Sequence, residues 1–168
     1  MTRFDRPKPP PKPGASVPWL VAIALFSLGA VAAALVSQHV YDMQPCPWCV
    51  LQRGIFVVIA LACVLGLVWR SAAGRVTSAI LIFLLSASGV AAAAWQHFVA
   101  AKSASCNLTL ADKIIGALKL DTLLPAVFSA TASCADAAVN LLGVPYAFWA
   151  MAAFLVIAAA GLRQIIKA

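Results

Sequence analysis

Two cysteines stand close together in Gln44-Pro45-Cys46-Pro47-Trp48-Cys49-Val50-Leu51-Gln52-Arg53, where a long apolar run begins. Thiols at C-x-x-C spacing support thiol–disulfide exchange, in which the thiolate is the nucleophile. If the chain is helical from Val50 onward, Pro47 and Trp48 fall in the first turn, where proline's missing N–H costs nothing. Cys49 then lies beside unsatisfied backbone N–H groups and the positive end of the helix dipole, which favour negative charge. Arg53 follows one turn later, so its side chain shares a helix face with Cys49. A cation inside an apolar span is costly and marks a functional site by default. The stretch reads as an activated dithiol beside a fixed cation.

Taken alone, the dithiol also fits half a zinc site or a static disulfide. The second C-x-x-C or histidine pair that usually completes a zinc set is absent, and Val50 stands where c-type haem attachment needs histidine. Cys106 and Cys134 lie far apart in one long loop, without metal-like spacing. A disulfide between them could be a staple, or it could exchange with the C-x-x-C pair. In the exchange reading, the loop pair meets a soluble protein dithiol. The C-x-x-C pair then hands two electrons to an acceptor dissolved in the membrane. Cys63 lies about 21 Å deeper along the same helix at 1.5 Å per residue, and is read as a small core residue.

The elements that position these groups follow from composition. The chain has 168 residues, 64% hydrophobic and 10% charged, with mean hydropathy +0.98. Apolar runs at about 17–37, 50–69, 76–95 and 144–162 are each near the ~20 residues needed to cross a bilayer. The expected fold is all-α: a polytopic membrane protein with a four-helix bundle, preceded by a disordered basic tail at 1–16. Outward loops fall at about 38–49 and 96–143, the second being long. The net charge of +7 is unevenly placed. Arg3, Arg6, Lys8, Lys12, Arg70, Arg75, Arg163 and Lys167 all fall on one side of such a chain. By the positive-inside rule both termini are cytoplasmic and the cysteine loops face outward, so the basic excess reports topology and not nucleic acid. Tryptophans 19, 48, 69, 95 and 149 all fall near predicted interfaces, where their rings prefer to sit. In the long loop, apolar residues of 108–128 recur at partly helical spacing, which predicts an amphipathic segment on the membrane surface or a packed loop helix.

The combined pattern Q-H-V-x(5)-P-C-x-x-C-x-x-x-R at 38–53, with P-A-V-F-x(5)-C-A-x(6)-L-G at 125–143, resembles the bacterial disulfide bond formation protein B (DsbB) family. The resemblance covers nearly all of the chain after the tail. It implies an inner-membrane oxidoreductase that reoxidises a periplasmic DsbA-like thiol oxidase and passes the electrons to ubiquinone or menaquinone. Carried over, Cys106 forms the mixed disulfide with DsbA and Cys134 is its partner. Cys46 exchanges with that pair, Cys49 adjoins the quinone ring, and Arg53 contacts the quinone. Ser133 and Val139 stand where the family often has an acidic residue and a tryptophan, which bears on partner fit. His39 and His97 are candidate quinone-binding, proton-handling or metal-binding groups, with plain interfacial hydrogen bonding as the alternative. Asn107-Leu108-Thr109 matches a glycosylation sequon. Two rivals stay open: a vitamin K epoxide reductase-like enzyme, and a non-enzymatic tetraspan with passive disulfides. In the first rival pattern the C-x-x-C usually lies near the last span, whereas here it opens the second.

Overall fold

A computed structural model describes residues 17–102 and 109–167. The tail 1–16, Cys106 and Asn107 lie outside the described residues. In chain order the helices are α1 (Val17–Val40), α2 (Pro47–Val68), α3 (Ala72–Phe98), α4 (Leu110–Ala117), α5 (Leu120–Leu123), α6 (Pro125–Phe128) and α7 (Tyr146–Lys167). A short 3-10 turn (Ala100–Lys102) follows α3, and a two-stranded hairpin, β1 (Asn140–Leu141) and β2 (Val144–Pro145), precedes α7. Among the described residues, four helices (α1, α2, α3 and α7) are long and apolar enough to cross a bilayer. Lipid offers no backbone hydrogen bonds, so each apolar run closes its own as a helix.

The span limits move by a few residues, each for a local reason. α2 begins at Pro47 and not near 50, because proline fits the first turn and Cys46 caps it. The last span begins at Tyr146 and not near 144, because Val144 and Pro145 pair with Leu141 and Asn140. The turn between those strands holds Leu142 at φ 55° and Gly143 at φ 81°, the left-handed pair that a two-residue hairpin demands. The loop segment expected at 108–128 is helical but broken. A capping box between Thr109 and Asp112 starts α4, left-handed Lys119 (φ 51°) ends it, and Pro125 opens α6. The segment packs α4 against α2, burying Ala111 and Ile115, while Leu110, Leu118, Leu123 and Leu124 stay exposed.

The bundle centre is a stack of Phe56 on Phe154, centroids 4.0 Å apart and planes 7° from parallel. Gly89 admits it, since a Cβ there would run into the Phe154 ring. α3 packs closely on both α2 and α7, whereas α1 leans on α2 and meets α7 only sparsely. At the end away from the cysteine loops, Arg163 sits 5.1 Å over the Trp19 ring.

Candidate active site

Sulfur occupies the start of α2. Cys46 is its N-cap, and its Sγ accepts the Cys49 N–H at 3.4 Å, a role usually taken by the oxygen of Ser, Thr, Asp or Asn. The two sulfurs of the motif lie 3.0 Å apart, hydrogen-bonded and longer than the ~2.05 Å of a disulfide. Cys134 completes the cluster from the loop. Its sulfur packs against Cys46 and Trp48 and interacts electrostatically with the Cys46 thiol and the Trp48 backbone N–H. The first turn of α2 thus presents its free N–H groups to two sulfurs at once.

The loop carrying Cys134 is tied down beside this turn. Thr131 and Ala132 donate their N–H groups to the Pro45 carbonyl at 3.0 and 3.3 Å, and the Thr131 hydroxyl donates to Gln44 Oε1 at 2.6 Å. Ser133 caps the next turn through Asp136, with its hydroxyl 2.6 Å from the carboxylate. Cys46 and Cys134 are electrostatically unlike. Hydrogen bonding to Cys134, then to Cys49, and burial push the Cys46 thiol well above the ordinary cysteine range. Accepting from Cys46 pulls the Cys134 thiol down.

Cys49 faces the bundle interior with Arg53. The Arg53 guanidinium is buried and donates to Gln38 Oε1 at 2.6 Å, to the Val127 carbonyl at 3.0 Å and to the Ala34 carbonyl at 3.3 Å. All three acceptors are neutral, so the cation stays uncompensated by them. It also ties α1 and α6 to α2. On the other flank, Gln96 of α3 donates Nε2–H to the Cys49 sulfur at 3.1 Å. Its Oε1 in turn accepts from Gln52 Nε2 at 2.6 Å, and both amides are buried.

Cys49, Gln52, Arg53 and Gln96 line one cavity of about 270 Å³, walled mainly by α1, α2 and α7 with Gln96 entering from α3. Alanines 33, 34 and 150 make flat apolar sides, with Phe56, Tyr146 and Trp149 around them. The sparse α1–α7 contact leaves this cavity beside a lateral seam facing lipid. Apolar walls with one cation and one amide pair suit a flat, membrane-soluble ring bearing oxygens, so the residues present fit a quinone.

The structure therefore gathers Cys46, Cys49, Cys134 and Arg53. Cys106 lies outside the described residues. The histidines do not join the cavity wall. His39 is exposed, its Nε2 3.4 Å from the Ala126 carbonyl. His97 packs against Phe98 and Phe148, centroids 5.0 and 4.7 Å away, and shares a void of about 30 Å³ with Cys134 and Tyr146. Sequence reasoning passed over Gln38, Gln52, Gln96 and Tyr146. The available signal was an amide inside or closing an apolar run, which needs a partner in lipid.

Comparison with known proteins agrees with this geometry. The family model described as "Disulfide bond formation protein DsbB" matches residues 16–163. Disulfide bond formation protein B of Herminiimonas arsenicoxydans is 35% identical over 144 residues, covering 85% of this chain and 90% of that protein. That of Burkholderia pseudomallei (strain 1106a) is 34% identical over 140 residues, covering 83% of each. Disulfide bond formation protein B 1 of Pseudomonas savastanoi pv. phaseolicola is 34% identical over 141 residues, again covering 83% of each.

Proposed function

We infer the chemistry from one premise: the chain belongs to the disulfide bond formation protein DsbB family. It is a multi-pass inner-membrane oxidoreductase that reoxidises a DsbA-like thiol oxidase and passes the electrons to quinone. The roles of individual residues are our reading. Cys106 and Cys134, as a disulfide, take two electrons from the partner's dithiol, which leaves as a disulfide. The Cys134 thiolate then attacks Cys46 of the Cys46–Cys49 disulfide. A Cys134–Cys46 bond forms and Cys49 departs as thiolate. The Cys106 thiolate attacks Cys134, restoring the loop disulfide and releasing Cys46.

The observation that carries this reading is the placement of Cys46. It packs with Cys134 on one side and lies 3.0 Å from the Cys49 sulfur on the other, so one sulfur can serve both exchanges. Among the free thiols Cys134 is the better anion, which suits it to be the attacking sulfur once the loop disulfide has been reduced. Cys49 is then left in the cavity with Gln96 donating to it and Arg53 one turn away. A quinone bound there supplies an acceptor of two electrons and two protons, so that the Cys46–Cys49 disulfide forms again. Arg53 and the amide pair hold negative charge at that end of the cavity, and the alanine walls keep water out. We place the cysteine cluster on the periplasmic side and the Arg163–Trp19 end on the cytoplasmic side, following the arginine and lysine distribution.

The test is quinone-dependent oxidation of a reduced DsbA-like protein by purified enzyme. Cys49→Ser is expected to abolish turnover, and a normal rate in that variant sinks the reading. Thiol trapping with quinone withdrawn separates the passive tetraspan, whose cysteines would stay oxidised, from an enzyme whose cysteines accumulate reduced. The vitamin K epoxide reductase-like arrangement is disfavoured by α2, since the C-x-x-C opens the second span.

A further inference from the structure

On the face of α2 turned away from Arg53 lies a second, larger cavity of about 750 Å³, bounded by α2, α3 and α4. Trp48, Leu51 and Ile55 of α2, Trp95 of α3, and Leu110 and Ile114 of α4 line it. It belongs to none of the steps above. The volume is within the ~300–1,000 Å³ usual for ligand pockets, against about 270 Å³ for the Cys49 cavity.

Its chemistry differs from that of the Cys49 cavity. The hydroxyls in its wall are already spent: Ser88 donates to the Leu85 carbonyl at 2.8 Å, and Thr109 to Asp112 at 2.7 Å. Among the described residues, no arginine or amide lines it. A ring bearing oxygens would find little to hold it, whereas a hydrocarbon chain needs no polar partner. Trp48 and Trp95, 6.4 Å apart, set its height at the membrane interface, where indoles collect. Charge stands at the rim. Lys113 is three residues from Leu110 and beside Ile114, so it shares the α4 face that lines the cavity. Lys102 closes the 3-10 turn whose Ala100 also lines it. Both lysines are exposed, and Asp112, the carboxylate on α4, is engaged by the Thr109 cap.

We propose that this cavity holds one acyl chain of an anionic phospholipid, whose phosphate pairs with Lys102 and Lys113. The bound lipid would brace α4 against α2 and so steady the loop that carries the exchange cysteines.

Full-length protein is released from detergent in a native mass spectrometer after titration with palmitoyl-oleoyl phosphatidylglycerol or the matching phosphatidylcholine. Phosphatidylglycerol is expected to bind roughly 25-fold more tightly, given about fivefold for each of the two lysines at an anionic surface. Lys102→Gln with Lys113→Gln should erase that preference while leaving phosphatidylcholine binding in place. Ala91→Phe, which fills the cavity wall, should weaken both lipids. A photoreactive acyl chain on the wild-type protein should crosslink to Leu51, Ile55 and Leu110, a readout independent of any variant's folding. Equal binding of both lipids by wild type, crosslinks confined to α1 and α7, or displacement of the crosslinker by quinone or a second copy of the chain would each overturn the proposal.

Discussion

Replacing Gln96 by leucine tests whether the amide pair serves catalysis or only packing. The substitution removes the N–H donated to the Cys49 sulfur at 3.1 Å and strands Gln52 Nε2, whose N–H donates a hydrogen bond to Gln96 Oε1 at 2.6 Å. These two losses fall on different observables. A hydrogen bond to a charged acceptor is worth about 1.5–3 kcal/mol. Lost only when Cys49 is anionic, it should slow quinone-dependent turnover by about 10- to 150-fold. Stranding a buried amide costs about 1–3 kcal/mol of stability. Gln52→Leu with Gln96→Leu removes both halves, so stability should return towards wild type while the rate stays low. The KM for the DsbA-like partner should hold, because Gln96 faces the Cys49 side of the cluster. The assay is stopped-flow oxidation of reduced partner with quinone in excess, beside thermal melts of the same preparations. A Gln96→Leu rate within about twofold of wild type, or a double variant that regains activity along with stability, would show that the pair only packs.

Two further perturbations address neighbouring groups. Arg53→Met keeps length but removes the fork that reaches Gln38, Val127 and Ala34; the apparent KM for quinone should rise about tenfold or more, with little change in the KM for the protein partner. An unchanged quinone KM would remove Arg53 from the site. Peptide-resolved iodoacetamide labelling of reduced protein across pH should find Cys134 reacting from below the ordinary cysteine value of about 8.5 and Cys46 only above it. The sign follows from the shared proton: in the reduced cluster, between the two transitions, Cys134 is anionic and Cys46 holds the proton. Coincident titration of both would contradict that order.

What could be read from the chain depended on how far apart the interacting residues lie. The spans were legible because about 20 apolar residues in a row leave the backbone one solution in lipid. Cys49 and Arg53 were legible because helix geometry alone puts residues four apart on one face. The partners of those groups were not. Gln52 meets Gln96 across 44 residues, and Arg53 meets Val127 across 74. Both contacts require the rotational setting of one helix against another, and that setting is fixed by remote detail. Gly66 lets Ser78 approach to 2.8 Å of where its Cβ would sit, and Gly89 makes room for Phe154. The loop failed for a different reason. Lys119 and Leu142 take left-handed backbone that their residue types do not advertise, so the break after α4 and the hairpin before α7 had no local signal beyond Gly143. Both bends sit beside the site: the break leads into the segment whose Val127 carbonyl holds Arg53, and the hairpin sets Tyr146 against the cavity. Cys46 and Cys49 sit at the start of a long bundle helix, so their spacing is local. Cys134 reaches them only through loop hydrogen bonds from Thr131 and Ala132 to Pro45 and Gln44, which no local pattern announces.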